Sequence, residues 1–296
     1  MCTAVCATRS PRSTSTTPGA EPKVAGARPR RSRLDTELVR RRLARSREHA
    51  GTLIAAGRVT VRGNTAAKSA TQVETSAPIV VLEDADDPDY VSRGGHKLAG
   101  ALNAFTPLGL AVEGRRALDA GASTGGFTDV LLRAGARHVV AADVGYGQLA
   151  WQLRGDERVT VRDRTNVREL TADTLGGELV ELVVGDLSFI PLGLVLPALV
   201  RCCTPDADLV LMVKPQFEVG RERLGSGGVV RSAELRAEAV RTVADRAASH
   251  GLGVRGVTAS PLPGPSGNVE YFLWLRAGAP ALDPADVDRA VAEGPQ

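Results

Sequence analysis

The period of the hydrophobic positions changes along this chain in a way that divides it. Residues 1–29 show no period; Ser, Thr, Pro, Ala and Arg crowd together there, and the segment is expected to be disordered. From Arg30 the pattern tightens. A helix is predicted over Leu34 to Arg42 and a second over Ser46 to Ala56, with Leu53 and Ile54 turned to a core and Gly57 as its stop. Arg58 to Val61 reads as a strand running into a tight turn at Arg62-Gly63-Asn64, and Val73 to Leu82 as another strand. Residues 30–82 thus form a small α+β module, followed by an acidic linker over residues 83–92.

Beyond the linker, strands and helices alternate. Lys97 to Phe105 carries Leu98, Ala101 and Leu102 on one helical face. Strands are predicted at Arg116 to Asp119, Val139 to Asp143, Leu182 to Asp186, Leu209 to Lys214 and Val269 to Leu275, with helices at Phe127 to Ala134, Gly147 to Leu153 and Ala233 to His250. Such alternation is the mark of an open α/β sheet of Rossmann-like form, covered by helices on both faces, with its binding site at the carboxyl ends of the strands. Residues 93–278 make this domain and residues 279–296 a C-terminal tail.

Charge sharpens the division. Residues 1–80 hold 15 Lys or Arg against 5 Asp or Glu, whereas the remaining 216 residues hold 22 against 29. A basic front module facing a polyanion and an acidic rear domain with another task follow from that split. The four cysteines, Cys2, Cys6, Cys202 and Cys203, have neither a disulfide framework nor zinc spacing, which fits a reducing compartment. No apolar run is long enough for a signal peptide or a membrane span. A cytoplasmic protein with no stable membrane association and no metal is expected.

Candidate chemistry begins with the run Asp119-Ala120-Gly121-Ala122-Ser123-Thr124-Gly125-Gly126-Phe127, a glycine-rich turn between a strand and a helix. Backbone can approach a ligand closely here, and the helix offers free N–H groups. The spacing is not the G-x-G-x-x-G of a dinucleotide site, and no Gly-Lys-Ser/Thr of a P-loop follows. Asp143, 22 residues past Gly121, stands where a carboxylate accepts hydrogen bonds from ribose hydroxyls, a pairing that suits NAD and S-adenosylmethionine alike. Asp163 is a further candidate, for the adenine end, with Asn166 close by.

Asp186, Lys214 and Glu270 each sit at the lip of an apolar strand, and Lys97 lies on the helix leading into the first one. Buried charges there need one another or a ligand, because an unpaired one would cost several kcal/mol. Two lysines and two carboxylates around one pocket suit methyl transfer to an alcohol. A ribose hydroxyl is a very weak acid, and a lysine can take its proton only in the neutral form that burial and neighbouring positive charge favour. Lys214 is assigned that role, with Asp186 and Glu270 orienting the ammonium groups and the hydroxyl. The histidines His49, His96, His138 and His250 share no motif. Gly220 to Arg231 is glycine-rich and reads either as a mobile lid or as a plain surface loop.

The motifs Ser92-Arg93-Gly94-Gly95-His96-Lys97-Leu98, Asp119 to Phe127, Asp186-Leu187-Ser188-Phe189 and Val213-Lys214-Pro215-Gln216-Phe217-Glu218, in this order, resemble the hemolysin A-like (TlyA) family of ribosomal RNA 2'-O-methyltransferases, whose catalytic domain is similar to the FtsJ type. The likeness runs from Arg33 to Arg276. It implies that Lys97, Asp186, Lys214 and Glu270 are catalytic and that Gly121, Ser123, Gly125, Gly126, Phe127, Asp143 and Asp163 line an S-adenosylmethionine site. Its front part looks like an RNA-binding module of a ribosomal protein, which implies that Arg33, Arg45, Ser46, Arg47 and Lys68 face RNA. The implied partners are ribosomal RNA or ribosomal subunits, and the implied reaction is methylation of a cytidine ribose. A methyltransferase for another RNA or a small molecule, and a non-catalytic RNA-binding assembly protein, remain as other readings.

Overall fold

The computed structural model describes residues 30–82, 88–264 and 266–295. The disordered extension read at residues 1–29 and half of the linker, residues 83–87, lie outside the described residues. The chain divides between Pro88 and Asp89 into two compact units.

The front unit opens with a strand that the sequence pattern does not predict, β1 (Arg31–Arg33), and continues with α1 (Leu34–Arg40), α2 (Arg47–Ala55), β2 (Val59–Val61), β3 (Asn64–Thr65), β4 (Gln72–Glu74) and β5 (Ile79–Val81). The first helix stops two residues earlier than predicted, since Arg42 is in the left-handed region with φ 62°. The β2–β3 turn is made by Arg62 and Gly63, both with positive φ, the geometry of a two-residue hairpin. The single strand read over Val73 to Leu82 is two. A turn at Ala77, whose N–H donates to the Glu74 carbonyl, sends β4 to pair with β1 and β5 with β2. Leu34, Leu38, Ala50, Leu53, Ile54 and Val59 form the core of this unit.

The rear unit is a seven-stranded sheet. Its elements are α3 (Arg93–Phe105), β6 (Arg116–Ala120), α4 (Gly126–Arg133), β7 (His138–Ala142), α5 (Trp151–Arg154), β8 (Val159–Arg162), β9 (Val180–Gly185), α6 (Leu196–Arg201), β10 (Cys203–Val213), α7 (Pro215–Glu218), α8 (Ala233–Ala248), β11 (Leu252–Ala259), β12 (Tyr271–Ala277) and α9 (Pro284–Glu293). The strand order is β11-β12-β10-β9-β6-β7-β8; β6 to β10 run parallel, and β12 is antiparallel to both of its neighbours. Successive strands leave β6 on one side toward β7 and on the other toward β9, so the crevice where ligands bind in such sheets opens at the carboxyl ends of β6 and β9.

Alternation along the strands feeds two cores. Leu118, Leu209, Leu211 and Val213 face the side covered by α6, α8 and α9, whereas Ala117, Val210 and Met212 face α3 and α4. Two elements correct the sequence reading. Edge strand β11 was not assigned; Gly253 and Gly256 interrupt its apolar pattern, and its register with β12 shifts between Val254 and Gly256. The segment read as a C-terminal tail contains α9, whose Val287, Ala290 and Val291 join the core. The helix read over Gly147 to Leu153 is reduced to α5, as Gly147 is left-handed with φ 69°.

Candidate active site

Strand register brings the site together. Val213 of β10 is paired with Tyr271 of β12, so one step beyond the pair Lys214 and Glu270 leave neighbouring strands side by side. Ala120 of β6 is paired with Gly185 of β9, which sets Gly121 beside Asp186 in the same way. Gly121 has φ 87°, and a Cβ on it would stand 2.9 Å from the Asp186 carbonyl oxygen. Lys97 arrives from a different layer. The starts of α3 and α4 approach so closely that a Cβ on Gly126 would lie 2.8 Å from the Gly95 nitrogen, and this contact holds Lys97 at the crevice.

The four charges meet as two ion pairs. Lys97 Nζ lies 2.5 Å from Glu270 Oε2, and Lys214 Nζ lies 2.6 Å from Asp186 Oδ1 and donates to Ser188 Oγ at 2.8 Å. Lys97, Lys214 and Glu270 are buried. All four line one cavity of about 310 Å³ together with Ser92, Arg93, Gly121, Ser123, Gly126 and Phe127. A buried pair of this kind contributes little net stability, since desolvation offsets the attraction. Two of them around one opening instead present two ammonium groups and two carboxylates to whatever enters it.

A second cavity, of about 510 Å³, shares Gly121, Ser123, Asp186 and Ser188 with the first. It runs past Asp143, Gln148, Thr165, Asn166 and Phe189. Asp143 accepts the Ser123 N–H at 2.8 Å and the Gly145 N–H at 2.7 Å, one on each oxygen, which fixes the carboxylate and leaves each oxygen able to accept again. Ser123 takes a left-handed φ of 49° to make that bond. Phe189 also has a left-handed φ, 66°, with its ring 89% exposed and 5.3 Å from that of Phe217. Such backbone is uncommon for a bulky residue and is kept only where the surroundings enforce it.

Two of the residues assigned to the cofactor are placed elsewhere. The Asp163 carboxylate lines neither cavity; it holds Arg154 at 2.6 Å, and the neighbouring Thr165 and Asn166 line the second cavity in its stead. Gly125, with φ 99°, caps α4 and makes room for Leu149 and Leu153, so its lack of a side chain serves packing. Sequence reasoning did not single out Ser188 or Gln148, although Ser188 stands inside the Asp-Leu-Ser-Phe motif.

Behind the glycine turn, Asp119 is fully buried. Its Oδ2 accepts from Thr128 Oγ1 at 2.7 Å while Oδ1 has no partner. Burial pushes its carboxyl up to about 7, with the nearby Asp186 and Asp143 charges acting in the same sense. A carboxyl raised in the folded state binds a proton there that the unfolded chain has already released. Its contribution to stability is therefore full below the ordinary carboxyl range near pH ~4 and is lost as pH rises through about 7. Unfolding midpoints measured across this window for the parent and for Asp119→Asn should converge at its acid end and separate toward neutrality, the parent falling. Parallel curves would exclude this titration.

In the front unit two acids, Asp35 and Glu37, are turned inward, while Glu48 and most of the arginines are exposed. Asp35 is buried and accepts from Arg33 at 2.8 Å and from Arg47 at 3.0 Å, which holds its carboxyl far below the usual range. Glu37, fully buried, accepts from Arg40 at 2.5 Å and Arg41 at 2.7 Å; Arg40 holds it near 2. Arg33 and Arg47 thus converge on one carboxylate with 42% and 60% of their side chains exposed. Ser46 caps α2 by accepting the His49 N–H at 3.1 Å, a local structural use of its hydroxyl. Arg45 and Lys68 are exposed.

Residues 90–277 match the model of the FtsJ-like methyltransferases, and residues 32–79 match that of the S4 domain. The chain belongs to the FtsJ-like methyltransferase family. It is 59% identical over 272 residues, covering 90% of this chain and 99% of the relative, to the 16S/23S rRNA (cytidine-2'-O)-methyltransferase TlyA of Mycobacterium tuberculosis. It is 35% identical to Hemolysin A of Brachyspira hyodysenteriae, over 81% of this chain and 98% of that one. A solved structure from Streptococcus thermophilus, described as a candidate hemolysin, superposes with a TM-score of 0.67 at 36% identity, covering 90% of this chain and 96% of that one. The methyl donor of an FtsJ-like methyltransferase is S-adenosylmethionine. The second cavity suits its adenosine end, because the backbone-fixed Asp143 retains acceptor capacity for a ribose and Gly121 leaves space that a Cβ would fill. Among the described residues no helix is long and apolar enough to cross a membrane.

Proposed function

We propose that this protein transfers a methyl group from S-adenosylmethionine to the ribose 2'-hydroxyl of a cytidine in ribosomal RNA, in the cytoplasm. The observation that carries the reading is the meeting of Lys97, Asp186, Lys214 and Glu270 as two ion pairs around one cavity that shares four lining residues with the Asp143 cavity. Gly121, Ser123, Gly126 and Asp143 would hold the cofactor, which supplies an electrophilic methyl carbon when bound. Lys214 takes the proton of the ribose hydroxyl as the neutral amine, after its ammonium has released a proton to solvent, while the hydroxyl oxygen attacks. Asp186 and Ser188 hold the lysine nitrogen in place by the two contacts they make to it. The Lys97–Glu270 pair stands on the other wall and keeps the hydroxyl in line with the methyl carbon, and alignment of that kind contributes a large part of the rate.

Support for RNA comes from the front unit, similar to S4 domains, where buried acids leave an arginine-covered surface. Arg33, Arg45, Arg47 and Lys68 contact phosphates, which position the substrate without naming a sequence. Specificity then rests on the shape of the folded RNA or the assembled subunit, since every nucleotide carries the same 2'-hydroxyl. A target base has to leave its stack to bring its ribose into the cavity.

The test is incubation of small subunits, large subunits and naked ribosomal RNA with methyl-labelled cofactor, followed by mapping of the label. Label on the 2'-oxygen of discrete cytidines is the expected result. Label confined to bases, to other RNA or to small molecules would replace this reading.

A further inference from the structure

The segment that leaves Lys214 and the segment that delivers Glu270 are tied together by one buried side chain outside the tetrad. Asn268, 3% exposed, accepts the Val230 N–H on Oδ1 at 2.9 Å and donates from Nδ2 to the Gly228 carbonyl at 3.1 Å. Its own carbonyl accepts the Gly264 N–H at 2.8 Å. Both ends of the amide, and the backbone beneath it, are therefore engaged.

The position of these bonds gives them meaning. Residues 220–231 read from sequence as a lid or a surface loop. In the structure they fold into short turns at Arg221–Arg223 and Ser226–Gly228, closed by a Gly225 N–H to Val229 carbonyl bond. Their link to the rest of the fold through Asn268 is a pair of hydrogen bonds in a buried setting, where leaving either group unpaired is destabilising. At one end of this connection is Lys214, beyond α7; at the other end of the tie, two residues on, is Glu270. Space around Glu270 is already tight, as a Cβ on Gly264 would lie 2.7 Å from Glu270 Oε1. A shift of residues 266–270 thus moves the carboxylate that Lys97 holds.

We infer that Asn268 is a positioning residue for methyl transfer: by clamping Gly228 and Val230 to the turn that precedes Glu270, it fixes the Lys97–Glu270 pair relative to the Lys214–Asp186 pair. The inference rests on the catalytic reading of the tetrad. It adds that the spacing which the β10–β12 register sets between the two pairs is also held from outside the cavity, by a residue that touches neither substrate nor cofactor. A displacement of about 1 Å at a reacting centre is enough to lower a rate by up to about a hundredfold without changing what binds.

The test compares the full-length parent with Asn268→Leu, which removes both hydrogen bonds, and Asn268→Asp, which keeps the acceptor for Val230 and gives up the donor to Gly228. Transfer to ribosomal subunits is measured well below each unfolding midpoint and normalised to folded protein, with S-adenosylmethionine affinity measured separately by calorimetry. The expected result is a kcat lowered roughly tenfold to a hundredfold in both Asn268→Leu and Asn268→Asp, with KM for the subunit and cofactor affinity within about twofold of the parent. If Asn268→Leu does not fold, the same split in Asn268→Asp decides. Variants that are less stable but turn over at the parental kcat would overturn the inference and leave Asn268 a purely structural residue. An inactive parent would overturn the catalytic reading itself, and this inference with it.

Discussion

Lys214→Ala is expected to abolish methyl transfer while leaving S-adenosylmethionine and RNA binding close to the parent. The Nζ of Lys214 is the nitrogen that touches both Asp186 and Ser188, residues that line both cavities, while Lys214 itself lines the first. Removing it takes away the group assigned to the hydroxyl proton, a loss of about a hundredfold to ten-thousandfold for general base catalysis. It also leaves the Asp186 carboxylate facing the reacting centre without its counter-charge, which slows the reaction further. Lys214→Arg should not restore the rate, because a guanidinium stays protonated and is planar where the ammonium is compact. Single-turnover transfer with saturating subunit and cofactor reads the chemical step directly. A variant that methylates at the parental rate would remove Lys214 from the role of base, and unchanged cofactor affinity separates a loss of rate from misfolding.

Removal of residues 1–82 is the second large effect. Arg33, Arg45, Arg47 and Lys68 are four cations on a unit whose acids Asp35 and Glu37 are buried and already paired. Each phosphate that a cation no longer neutralises lowers the slope of log affinity against log salt by about 0.7–0.9, so a fall in slope of about 3 is expected. Affinity at low salt should drop on the order of a hundredfold. Cofactor affinity should be retained, as the Asp143 cavity is built wholly from the rear unit. Arg45→Ala with Lys68→Ala in the full chain should reproduce about half of the change in slope without touching the Asp35 and Glu37 pairs. Equal slopes in truncated and full-length protein would assign RNA binding to the rear unit.

The parallel strands were the most legible part of the fold. Strands such as β9 and the end of β10 are buried on both faces and read as continuous apolar runs, and the glycine turn after β6 announces itself by composition. Elements with mixed faces were harder. β1 is three residues of Arg-Ser-Arg, which carry no apolar period, and it exists because β4 pairs with it. β11 lies at the sheet edge with two glycines, and α9 follows a segment rich in Ala and Pro. Asp163 shows the matching limit for the site: a carboxylate after a strand has the right place in sequence, but an arginine nine residues earlier in the chain claims it.

The sequence by itself determined the residue types. It placed a lysine or carboxylate at the end of a strand or the start of a helix four times over, because charged side chains at the tips of apolar runs are legible without coordinates. It also set the basic front against the acidic rear. Only the tertiary structure decided which charge meets which. Lys97 is paired with Glu270, 173 residues away, and Lys214 with Asp186. That pairing depends on the antiparallel register of β10 and β12 and on the close approach of α3 to α4. Neither leaves a local mark in the chain, because strand register and helix packing are set between segments far apart in sequence.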